Sequence, residues 1–162
     1  KEFSVELRLS NQDKVTIPWS AGHHFYFALP WDDLTGRQDY HLTIPAKKAA
    51  RHADDGSLTP VTNFRKTTRL SDKSLVDRIH YQLTESVVEC SSSKDDSRLE
   101  LEIGTNAQPH SEYALVTWTE DDSAPFYCIE PWMGPPNSPE NKIGLHLVGP
   151  GETSRFSVTV RV

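Results

Sequence analysis

The sequence predicts an all-β protein built from antiparallel strands, either a sandwich or part of a larger sheet assembly. Three observations lead there. Apolar and polar residues alternate in five separate stretches, the pattern of strands that bury one face and wet the other. Clusters of turn-forming residues separate those stretches. Eleven prolines are spread through 162 residues, which disfavours long helices.

The alternation begins at once, with Phe3, Val5, Leu7 and Leu9. It returns at Ile79, Tyr81 and Leu83, at Leu99, Leu101 and Ile103, and at Ala114, Val116 and Trp118. The chain closes on Phe156, Val158, Val160 and Val162. Turns are expected at Asn11-Gln12-Asp13, Asp54-Asp55-Gly56-Ser57, Ser91 to Asp96 and Gly149-Pro150-Gly151. The one stretch that reads as a turn or two of helix is Ala46 to Ala53. Neither an internal repeat nor a linker divides residues 1–162, so one domain is expected.

Hydrophobic residues make up 36% of the chain and charged residues 25%, a balance suited to a folded core rather than to disorder. No apolar run approaches the roughly 20 residues of a bilayer span, and no secretory leader pattern is visible. A membrane partner is therefore not expected. The net charge of −6 argues against nucleic acid, whose phosphates call for a basic surface. Cys90 and Cys128 lack metal-ligand spacing. Two free thiols in a reducing cytoplasm is the reading preferred over a lone disulfide. Residue 1 is Lys and the chain opens directly into a strand-like pattern, so a longer protein is expected around it.

Two irregular stretches are rich in aromatic residues. One runs from Pro18 to Trp31 and contains His23-His24-Phe25-Tyr26-Phe27. The other runs from Tyr127 to Asn137 and contains Cys128-Ile129-Glu130-Pro131-Trp132. Aromatic faces in concave positions suit the C–H faces of sugar rings. Adjacent residues of a strand point to opposite faces, so His23 and His24 cannot share a pocket. Glu130 sits in an apolar setting. Held in a pocket, its carboxylate becomes a stronger base through desolvation; on a polar strand face it is ordinary. Phosphate-cradling glycine loops, nucleophile elbows and HExxH helices are not found.

The segment Ser20-Ala21-Gly22-His23-His24-Phe25-Tyr26-Phe27-Ala28-Leu29-Pro30 resembles the signature of the aldose 1-epimerase (galactose mutarotase-like) family. Phe25 stands where that family usually has Pro. Cys128-Ile129-Glu130-Pro131-Trp132, with Gly134 and Asn137, resembles the family's catalytic-glutamate strand and loop. Leu147-Val148-Gly149-Pro150-Gly151-Glu152-Thr153 resembles the turn before its last strand. The resemblance implies an antiparallel β-sandwich of the supersandwich type, lacking its N-terminal part. It further implies that His24 and Glu130 are the acid and base that interconvert sugar anomers, without a metal or other cofactor. Asp77, in Leu75-Val76-Asp77-Arg78-Ile79, falls where the family binds substrate hydroxyls; a surface Asp paired with Arg78 or Arg69 is the alternative. Tyr26 and Trp132 are the implied sugar-contacting aromatics. The implied partner is a monosaccharide. The family's N-terminal part supplies an Arg and another His that have no match here, and a separate polypeptide carrying that part is one way to complete the site. A relative of the same fold acts on hexose 6-phosphates. That would call for basic residues at the rim, with Arg37, Lys47, Lys48, Arg51, Arg65, Lys66 and Arg69 as candidates. A non-catalytic sugar-binding module is the third reading.

Overall fold

In the computed structural model, residues 1–104 and 112–162 are described. Strands form where the alternation predicts them. In chain order they are β1 (Glu2–Ser10), β2 (Ile17–Trp19), β3 (Tyr26–Ala28), β4 (Tyr40–Thr43), β5 (Ala46–His52), β6 (Leu58–Val61), β7 (Thr67–Arg69), β8 (Arg78–Leu83), β9 (Val87–Ser92), β10 (Arg98–Ile103), β11 (Ala114–Trp118), β12 (Phe126–Trp132), β13 (His146–Val148) and β14 (Thr153–Arg161). A single turn of helix, α1 (Ser138–Asn141), follows β12.

One six-stranded sheet has the order β1-β14-β10-β9-β4-β7, and a second has the order β3-β12-β11-β8-β5-β6. β13 and β2 form a separate ribbon. The strand pairs are antiparallel, which lets one face of each sheet pack inward while the other meets solvent. The core lies between the sheets. Leu42, Val88, Cys90, Leu99, Leu101, Phe156 and Val158 of the first meet Leu115, Tyr127 and Ile129 of the second, and all are buried. Both cysteines are free thiols, as preferred from the sequence.

Ala46 to Ala53 differs from the helical expectation. Its residues form β5, which pairs with β8 on one side and β6 on the other. Ala49 and Ala50 are buried, and their small side chains let the strand sit inside the sheet. Burial between two neighbours outweighs the local helix preference of an Ala- and Lys-rich segment.

The second sheet has a wet outer face that carries more chemistry than its core face. Residues paired across antiparallel strands share a face, as do alternate residues along one strand. Glu130 of β12 pairs with Val116 of β11. Val116 pairs with Ile79 of β8, and Ile79 with Ala50 of β5. The next row is Trp132, Ala114, Tyr81 and Lys48, and the row on the other side begins Tyr26, Cys128, Trp118. Ala50, Ile79, Tyr81 and Ala114 form a small apolar cluster on this face, packed against Val116 and Trp132. The cluster removes water from one flank of Glu130.

Candidate functional site

The backbone entering β3 separates the two adjacent histidines, as expected. His23 turns inward and stacks between Phe25, at 5.1 Å between ring centroids, and Phe156, at 5.5 Å. Burial lowers its pKa. His24 turns outward to the wet face and stacks on Tyr26 at 5.0 Å.

His24 Nε2 lies 3.2 Å from Glu130 Oε1. The two partners differ sharply in exposure: the His24 side chain is 47% exposed and that of Glu130 only 5%. Trp132 donates its indole N–H to the other carboxylate oxygen, Oε2, at 3.4 Å, longer than an ideal hydrogen bond. Burial pushes the Glu130 carboxyl above the usual carboxylate range. The nearby His24 and the Trp132 hydrogen bond pull it back down, and the Asp77 charge adds a smaller upward push. Desolvation outweighs the others, so Glu130 is a stronger base than a surface carboxylate.

Around the pair stands an aromatic wall. The Tyr26 ring packs on Phe126 at 4.9 Å, and Trp118 approaches His24 edge-on at 6.1 Å and Phe126 at 6.0 Å. Arg37 holds the turn that carries this wall. Its guanidinium donates to the carbonyls of Asp121, Ala124 and Phe126 and to Thr119 Oγ1. On the far side of Glu130, Arg51, His52, Asp77, Ile79 and Val116 line a cavity of about 370 Å³. A larger cavity of about 720 Å³ opens elsewhere, lined by Phe27, Trp31, Leu99 and Arg161 among others. It borders neither His24 nor Glu130, so its size does not mark the chemistry.

All five residues singled out from the sequence therefore meet on one sheet face. His24 and Glu130 touch, Tyr26 and Trp132 flank them, and Asp77 stands at the neighbouring cavity. Asp77 has a left-handed backbone, φ 54°. Its loop is fixed by Arg51, which donates to the carbonyls of Ser74 and Val76 at 2.9 and 2.5 Å.

Three further residues of the site escape the sequence reading. Trp118 and Cys128 border His24 or Glu130, and Phe126 packs behind them on Tyr26 and Trp118. Cys128 stands two residues before Glu130, so the period of a strand already places it on the same face. Trp118 is brought there by the register with Cys128, which no local spacing reveals. Conversely, Trp19 and Trp31 of the first aromatic stretch are structural. Trp19 lies in β2, and Trp31 packs on Tyr40 at 4.7 Å. Several candidate rim cations are also engaged elsewhere: Arg37 and Arg51 as above, and Lys66 with Glu85 at 2.8 Å. Lys48 shares the site's face, in the same row as Trp132 and three strands away.

The fold is that of a galactose mutarotase-like β-sandwich, present in part. A galactose mutarotase-like protein from Clostridium acetobutylicum superposes with a TM-score of 0.75 at 17% identity, over 98% of this chain and 51% of its own. A galactose mutarotase related enzyme from Lactobacillus acidophilus gives 0.73 at 18%, over 98% and 56%. A galactose mutarotase-like protein from Lactobacillus casei gives 0.68 at 20%, over 98% and 58%. The chain thus spans little more than half the length of the structures it resembles. No family model and no curated protein matches it by sequence. No helix among the described residues is long and apolar enough to cross a membrane.

Proposed function

We propose that this chain carries the acid–base pair of an aldose 1-epimerase, with Glu130 as base, His24 as acid and a free hexose as substrate. One observation carries the reading: a buried carboxylate and a half-exposed imidazole in contact at 3.2 Å on an aromatic-walled sheet face. Anomer exchange needs that proximity. The hydroxyl to be deprotonated and the ring oxygen to be protonated are bonded to the same carbon, C1, so acid and base must be neighbours.

Glu130 Oε1 takes the proton from the C1 hydroxyl. Protonated His24 donates from Nε2 to the ring oxygen as the C1–O5 bond breaks. The C1–O1 bond becomes the carbonyl of the open-chain aldehyde, which rotates about C1–C2. Reclosure on the other face runs both transfers backwards. Ring opening needs Glu130 ionised and His24 protonated, and the 3.2 Å contact sets the two groups side by side for it. Tyr26 and Trp132 offer aromatic faces to the sugar, and Asp77 accepts from its hydroxyls. The internal engagement of Arg37, Arg51 and Lys66 favours a neutral hexose over a 6-phosphate. Because the similar structures are about twice as long, the remaining hydroxyl contacts are assigned to side chains outside this chain.

Polarimetry of freshly dissolved α-galactose and α-glucose tests this. The intact protein is expected to accelerate relaxation, and Glu130→Gln and His24→Asn to lose at least about 10²-fold each. Acceleration of 6-phosphates alone would transfer the reading to phosphorylated hexoses. Sugar binding with no acceleration would make the face a binding module and overturn the proposal.

A further inference from the structure

The acid–base pair has a third neighbour that proton transfer does not use. Cys128 Sγ, a ring nitrogen of His24 and a carboxylate oxygen of Glu130 all lie within 4.8 Å of one another. Cys128 and Glu130 are both buried, and both project from β12 to the same face. The geometry points to a zinc-class divalent metal site, formed by Cys128 Sγ, His24 Nε2 and Glu130 Oε1, in which the bound ion blocks the acid–base pair. The metal site itself stands whether or not the pair is an epimerase; only the inhibition rests on that reading.

The donor set selects the metal. A thiolate, an imidazole and a carboxylate together suit Zn²⁺ and Co²⁺ and are a poor match for Mg²⁺ or Ca²⁺, which prefer all-oxygen shells. Zinc bonds of about 2.3 Å to sulfur and 2.0–2.2 Å to nitrogen and oxygen place tetrahedral ligand atoms about 3.3–3.7 Å apart. The His24–Glu130 separation of 3.2 Å already matches. The set as a whole has to close by about 1 Å, and the half-exposed imidazole of His24 is the member free to move. Three protein ligands leave the fourth tetrahedral position to an exchangeable water. The Trp132 indole N–H lies against Glu130 Oε2, which leaves Oε1 for the ion and orients the carboxylate from behind.

Metal entry must displace the thiol proton. The thiolate is the form that binds the metal, so binding releases one proton from Cys128. An ion so held occupies both His24 Nε2 and Glu130 Oε1, so neither can exchange a proton with a sugar.

The test is a titration of the metal-free protein with Co²⁺, read by absorption, and with Zn²⁺, read by competition against the cobalt signal. One Co²⁺ per chain is expected, with a thiolate-to-cobalt charge-transfer band. Cys128→Ser should abolish the band, and Cys90→Ala should keep it. His24→Asn alters an exposed side chain, leaves the core intact and should weaken binding by more than about 10-fold; Trp132→Phe should cost about 10-fold. Zn²⁺ should also slow sugar relaxation in the polarimeter in competition with sugar. Absence of a cobalt band in the wild-type protein, or a band unchanged in Cys128→Ser or His24→Asn, overturns the site. A cobalt band in a protein that never accelerates anomer exchange upholds the metal site and removes the epimerase reading alone.

Discussion

The indole of Trp132 lies where a side chain on Gly22 would be: a Cβ built on Gly22 would stand 2.1 Å from Trp132 Cδ2. The two residues are bridged through their backbones, so neither can retreat independently. Gly22 is thus the residue that lets the indole lie flat and aim its N–H at Glu130. Gly22→Ala is expected to push the ring aside and weaken that hydrogen bond. Hydrogen bonds to charged groups contribute about 1.5–3 kcal/mol, so the polarimetric rate should fall about tenfold or more while the far-ultraviolet spectrum stays that of the wild type. A shifted tryptophan fluorescence maximum would accompany it.

Glu130 costs the fold stability in exchange for basicity. Its pKa is raised in the folded state, so the folded chain holds that proton more tightly than the unfolded one. The group's stabilising contribution is complete below the unfolded value of 4.5 and is lost as pH rises through the raised folded value. Glu130→Gln should therefore be more stable than the wild type at pH 7, by about 1 kcal/mol, with the gap closing toward pH 4. Urea denaturation at several pH values measures it.

Of the described fold, the long strands were the legible part. β1, β8, β10, β11 and β14 each carry three or more alternations, enough to define a period. β2, β3 and β7 are three residues long and exist only because a neighbour pairs with them. β5 reads as helix for the reason its burial overrules. In the site, the His24 and Glu130 motifs stand out locally, whereas their contact is made by the approach of the β3 segment to β12. Trp118 could not be foreseen, because only the β11–β12 register places it beside Tyr26.

His80 makes a separate prediction about acid. It is buried in the core, and neither ring nitrogen has a partner among the described residues. Burial first, and Arg78 second, lower its pKa from 6.5 to about 3. The folded state thus keeps His80 neutral. Its contribution is present above pH 6.5 and is lost as pH falls toward 3. With about 1.4 kcal/mol per tenfold in proton affinity, the loss is on the order of 4 kcal/mol across that window. In His80→Leu the slope of stability against pH between 6.5 and 3 should flatten. An unchanged slope would show that another group governs the acid transition.

Arg37 fixes the aromatic wall from behind, through its four contacts with the β11–β12 turn. Arg37→Ala removes the guanidinium donor from the part-buried carbonyl of Ala124 and leaves those of Asp121 and Phe126 to Thr119 Oγ1 alone. It should destabilise the fold by about 2–3 kcal/mol and raise KM for the sugar more than it lowers kcat, because Trp118 and Phe126 shape the wall rather than transfer protons. Thermal melting and polarimetric kinetics would separate the two effects.

His24 and Glu130 are proposed to move protons to and from the C1 hydroxyl and the ring oxygen of a hexose. The most direct measurement of this is the polarimetric relaxation of α-galactose across pH, with the intact protein and with Glu130→Gln side by side. The wild type is expected to accelerate relaxation, with an acid limb displaced above 4.5, the ordinary value for this carboxyl, and the variant to lose that acceleration. Relaxation at the spontaneous rate with the wild-type protein at every pH would contradict it.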